Sequence, residues 1–116
     1  MTVRRLKTYT GQQGYVYQYY FVGKRPAQAP DATEYVFDVT SDRKTTYAVS
    51  VVLPRSVVAV WAEAHGRPLA DSEQYAAVKM RLFHGFDEVE DMPANGRQLR
   101  VDLPFLEESL AMLGVD

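Results

Sequence analysis

The chain has 116 residues, 47% of them hydrophobic and 24% charged, with a formal net charge of −2 and no cysteine. That length supports one core without help from metal or disulfides, and the composition is far from that of disordered chains. The missing cysteines exclude a disulfide framework, a thiolate nucleophile and a cysteine-type zinc site, and no run approaches the roughly 18 apolar residues of a membrane helix.

The chain therefore reads as a single soluble domain over residues 1–116, cytoplasmic and unexported. Its charge is unevenly spread. Residues 1–25 hold Arg4, Arg5, Lys7, Lys24 and Arg25 and no acid, a total of +5, which leaves −7 on the rest. Such asymmetry marks an anionic partner, or basic strands lying beside acidic helices of the same or a neighbouring copy.

Val3 to Thr10 is β-prone, and the following GQQG supplies two glycines that tolerate the positive φ of a tight connection. The expected first hairpin joins residues 3–10 to 14–23. Residues 24–33, with two prolines and several alanines, read as a loop. In EYVFDVT the residues alternate, with Tyr35, Phe37 and Val39 on one face and Glu34, Val36, Asp38 and Thr40 on the other. A polar SDRK turn leads into residues 45–53, which alternate again and complete a second hairpin.

Pro54 and Gly66 bracket RSVVAVWAEAH as the opening and closing signals of a helix, with an apolar stripe of Val57, Val60, Trp61 and Ala64. Asp71 with Gln74 reads as a capping-box variant for a second helix, along which Tyr75, Val78, Leu82 and Phe86 recur. Residues 87–98 hold four acids, a proline and an Asn-Gly turn signal, and read as a loop. LRVDL is a short strand. Pro104 then opens a short last helix with Phe105, Leu106, Leu110 and Leu113 as its apolar set. Leu-Pro ends a strand and leads into a helix twice, at residues 53–54 and 103–104, as a good junction of the two elements.

The stretch GYVYQYYFVGKR, residues 14–25, raises the functional question. Tyr15, Tyr17, Tyr19 and Phe21 share one face, and Val16, Gln18, Tyr20 and Val22 the other. Burying four rings is worth roughly 15–25 kcal/mol in gross transfer, so that stripe is expected to be covered, at least in part, by the helices. The opposite face, where Val16, Tyr20 and Val22 join Val36, Ala48 and Val52 with Gln18 and Asp38 between them, is too apolar for a water-facing surface and too polar for a dry core. Protein interfaces have this mixture, so Val16, Gln18, Tyr20, Val22 and Val36 are the candidate interface.

No catalytic constellation emerges. His65 ends the first helix, where an imidazolium meets the helix C-terminus favourably. His84 stands near Asp87 and Glu88, a pairing that suits a general base or part of a metal site, but no metal-ligand spacing accompanies it. The serines lie outside any GxSxG elbow, and neither GxGxxG nor a P-loop occurs. The acidic run of Asp87, Glu88, Glu90 and Asp91 reads as a solvated loop. Bases interleaved with tyrosines fit single-stranded nucleic acid, but no recognition motif supports that and the chain is slightly acidic, so nucleic acid is the disfavoured partner.

The expected fold is α+β, a mainly antiparallel sheet of four or five strands from two hairpins with two or three helices on one face. The expected function is non-catalytic binding or assembly, with a second copy of the chain as the first partner and another protein as the next. No metal, cofactor or membrane is called for. The rival is a small-molecule or hydrolytic pocket between sheet and helices, lined by Tyr17, Tyr19, Tyr47 and Trp61 with His84 nearby.

Overall fold

The computed structural model describes residues 6–27 and 31–115; the expected strand residues Val3 to Arg5, and positions 28–30 of the expected loop, lie outside the described residues. Five strands, β1 (Lys7–Thr10), β2 (Val16–Pro26), β3 (Ala32–Thr40), β4 (Tyr47–Pro54) and β5 (Gln98–Arg100), form one sheet in the order β1-β2-β3-β4-β5. The first four make an antiparallel meander of hairpins. β5 pairs parallel to β4, after a crossover that carries α1 (Arg55–His65), α2 (Asp71–Glu88) and the single turn α3 (Met92–Asn95). α4 (Leu103–Met112) closes the chain. The class is α+β, with four helices where two or three were expected; the addition is the one-turn α3.

Period-two patterning places the core. Tyr17, Tyr19, Tyr35, Phe37, Val39, Val49, Val51 and Leu53 are buried on one face of the sheet, packed on Trp61, Val78, Leu82, Phe86, Leu106 and Leu110 from the helices. β2 runs three residues further than expected, because its register with β3 slips at Val22: Phe21 faces Phe37, but Gly23 faces Val36. The extra residue is a β-bulge, and it reverses the alternation of the chain beyond it. Lys24 now faces Tyr35 on the helix side, with its Nζ 5.9 Å from the ring centroid, and Arg25 faces Glu34 on the outer side.

The helix stripes are shifted from the expected ones. In α1, Val57, Val58, Trp61 and Ala62 pack on the core, and Val60 and Ala64 are exposed, so the buried stripe lies one residue away from the expected one on one side. Gly66 does close the helix in the left-handed region at φ 71°, with its N–H donating to the Ala62 carbonyl. α2 begins after Ala70 rather than with an Asp71/Gln74 box. Its end is held instead by the Glu73 carboxylate, which accepts the Ala70 N–H at 2.9 Å and both Arg67 guanidinium N–H groups at 2.9 Å. α4 follows the sequence better. Pro104 sits in its first turn, and the Asp102 carboxylate accepts the Phe105 N–H at 2.9 Å. Leu106 and Leu110 are buried there, whereas Leu113 is exposed.

Candidate functional site

The buried sheet residues between Tyr35 and Leu53 point toward the helices. Among the described residues the outward positions from Glu34 to Thr40 and from Ala48 to Val52 are half-buried, and on the same register only Ala32 and Pro54, at the strand ends, are buried. Of the candidate interface residues, Val16, Gln18, Tyr20 and Val36 lie on this face, with Val16 44% exposed; Val22 stands unpaired at the bulge, 39% exposed. Two polar contacts are made within the face itself. The Tyr20 hydroxyl donates to Asp38 Oδ2 at 2.7 Å, and Arg25 pairs with Glu34. Arg25, together with Ser50, holds the Glu34 carboxyl below its usual range.

The residues of the candidate pocket are dispersed. Tyr17 stacks on Phe86, with centroids 4.3 Å apart, and Tyr19 packs against Phe37, Phe83 and Phe86. Trp61 is fully buried, stacked on His65 at 4.1 Å, with the Arg67 guanidinium 5.1 Å from its ring. The Tyr47 hydroxyl is buried and, among the described residues, has no hydrogen-bond partner, and burial above all pushes it up to about 12. His84 is exposed and tilts over Phe105, in a groove of ≈ 680 Å³ between α2 and α4. Tyr17 and Tyr19 share Phe86, but none of Tyr19, Tyr47 and Trp61 lines that groove.

Asp87 lines the same groove as His84, but its hydrogen bonds go to the first hairpin. Its carboxylate accepts the Tyr9 hydroxyl at 2.6 Å and the Gln12 N–H at 2.9 Å, and the Tyr9 ring stacks on Phe83 at 4.4 Å. Burial and the Asp87 hydrogen bond push the Tyr9 hydroxyl up to about 12. This bolt between the first hairpin and the C-terminal turn of α2 spans 78 residues of chain, and no periodicity in the sequence signals it. His65, expected at a helix end, serves there as a bridge: its Nε2 lies 3.0 Å from Glu107 Oε2 on α4. Among the described residues no three His, Asp or Glu side chains gather as a metal site, and no helix is long and apolar enough to cross a membrane.

No protein-family model matches the chain, and neither a characterised protein nor a solved structure is detectably similar to it. The geometry alone carries the functional reading.

Proposed function

We propose that the chain is a non-catalytic assembly module that associates with a second copy of itself through the outer face of the sheet. The observation that carries this is an apolar band of exposed Val16 and half-buried Tyr20, Val36, Ala48 and Val52 on the face of the sheet opposite the core. Its polar neighbours suit burial. Asp38 already accepts from Tyr20, and Glu34 from Arg25, so a partner seated here leaves neither carboxylate stripped of donors. A sheet face packs naturally on another sheet face at about 10 Å with strands within about 30° of alignment, and a like copy is the simplest closed arrangement.

Sedimentation velocity of the full chain at tens of micromolar tests the reading. The expected result is a dimer that Val36→Asp converts to monomer while the Trp61 emission spectrum stays unchanged. A wild-type chain that remains monomeric at that concentration overturns it.

A further inference from the structure

One end of the outer face holds a groove of ≈ 710 Å³ whose polar lining the fold leaves with donors to spare. The register sets Arg25, Glu34, Val52 and Arg100 in one row across β2, β3, β4 and β5, with Gln98 two residues from Arg100 on the same side of β5. Three strand spacings, about 14 Å, separate the two arginine backbones, and both arginines line this one groove together with Val52. Pro26 and Ala27 wall it beyond Arg25.

Glu34 prepares Arg25 for a ligand rather than consuming it. Its carboxylate, on a side chain 14% exposed, accepts from Arg25 Nε, and this bond, with one to Ser50, holds it below the usual range. A bond at Nε fixes the plane of the guanidinium and leaves its terminal Nη1/Nη2 fork, which pairs bidentately with oxyanions, free on a side chain 68% exposed. Among the described residues the Arg100 guanidinium and the Gln98 amide make no hydrogen bond or ion pair; the Arg100 carbonyl alone is used, accepting Arg81 Nε at 2.9 Å.

Charge points the same way. The lining carries two arginines against one carboxylate. Asp102, just past β5, accepts the Phe105 N–H and lines the groove between α2 and α4 instead. Asp31 and Arg55, at the neighbouring strand ends, are opposite in sign and outside the lining.

We propose that this groove binds a phosphate monoester of small-molecule size. Its terminal phosphate lies between the Arg25 and Arg100 guanidiniums with the Gln98 amide as a further donor, and its apolar body lies against Pro26, Ala27 and Val52. A phosphate presents three acceptor oxygens to donors on two sides, whereas a carboxylate presents two in one plane. The volume is that of small-molecule sites, about 300–1,000 Å³. The site does not depend on self-association, although Val52 belongs both to it and to the apolar band.

Titration of the full chain with phenyl phosphate tests the site, followed by proton–nitrogen NMR at about pH 7.5, above the second phosphate ionisation near pH 6. The expected result is saturable shifts centred on Arg25, Gln98 and Arg100, with Kd below about 1 mM. Arg100→Gln should weaken binding about tenfold, and so should Arg25→Lys, which keeps the charge but loses the fork. Glu34→Leu should also weaken it, although it removes a negative charge from the groove; tighter binding there would overturn the bracing role. Methyl phenyl phosphate, a singly charged diester, should bind about tenfold more weakly; equal affinity would mean that the groove reads a phosphodiester, and overturns the monoester assignment. Because a second copy seated on the band would reach Val52, Val16→Asp, at the far end of β2, is titrated alongside, and binding by either chain supports the site. No saturable shift in either up to about 10 mM, shifts centred elsewhere, or wild-type affinity in Arg100→Gln overturns it.

Discussion

Tyr9 and Tyr47 carry the same hydroxyl into opposite situations. The Tyr9 hydroxyl donates to a carboxylate at 2.6 Å, whereas the Tyr47 hydroxyl is buried with no partner among the described residues. Removing one member of a made hydrogen bond strands the other, but removing a hydroxyl that lacks a partner relieves a desolvation cost. Tyr9→Phe is therefore expected to destabilise the fold by about 1 kcal/mol, and Tyr47→Phe to leave stability unchanged within about 0.5 kcal/mol or raise it, as measured by urea midpoints at pH 7. The alkaline dependence has a definite sign. Tyr9 is raised from 10.0 to about 12 in the fold, so its contribution is complete below pH 10 and is lost as pH climbs from 10 to 12. Tyr9→Phe should flatten that decline; an identical slope in the variant would contradict the Asp87 assignment. Neither contact was legible in the sequence, because a polar pair joined across 78 residues leaves no periodic trace. The rings were legible in part: Tyr17 and Tyr19 alternate with Gln18 and are buried as expected, whereas Tyr15, 66% exposed, and Phe21, 36% exposed, at the two ends of the stripe are not.

Elements were legible where one period dominates and less so where a single residue breaks it. β3 and β4 fall where alternation places them to within two residues at their starts: β3 opens at Ala32 inside the expected loop, and β4 at Tyr47 rather than Thr45. The β2 extension was missed because Val22 adds a residue without a composition signal, and Pro26 sits at the strand's very end. The Asp71/Gln74 cap was misplaced because Glu73, reached by Arg67, satisfies the Ala70 N–H from within the helix. The acidic loop concealed α3, whose buried Met92 is a lone apolar residue with no repeat to reveal it. A further element-scale feature is the closeness of α2 to β5 at Gly85. A Cβ there would stand 2.7 Å from Leu99 Cδ1, so any side chain at this position forces the Leu99 side chain to shift. Gly85→Ala gains about 1 kcal/mol of helix propensity but overpacks this contact, and a net loss of about 1–2 kcal/mol is expected. On a Leu99→Ala background the same change should become neutral or stabilising. A double-mutant cycle by chemical denaturation measures that coupling, and additive effects would argue against the close packing.

At the scale of the whole molecule, acid stability follows from carboxylates that the fold keeps ionised. Glu73 is lowered from 4.5 to about 2, chiefly by Arg67, and Asp42 from 3.8 to about 2 by the Thr45 and Lys44 N–H groups. Depressed values contribute above the ordinary carboxylate range and are lost as pH falls through the folded ones. The thermal midpoint, followed by the emission of the single buried Trp61, is expected to be level between pH 5 and 7 and to fall between about pH 4.5 and 2. Glu73→Gln should lower the midpoint at pH 7 and make the acid decline shallower; a variant with the wild-type profile would remove Glu73 from that account. The α+β class was legible because hairpins precede helices in the chain, and the late strand joins by a crossover as its position implies. The sharing of work between the two sheet faces was legible only as far as Val22. Beyond that bulge the ladder is indifferent to the surplus residue: Phe21 keeps Phe37, and Lys24 and Arg25 keep Tyr35 and Glu34, whether or not anything stands in the kink. A chain shorter by one amino acid there would keep the same side chains up and down, so this kink is the place in the longest strand where length can drift while the charge map of the exposed surface stays fixed.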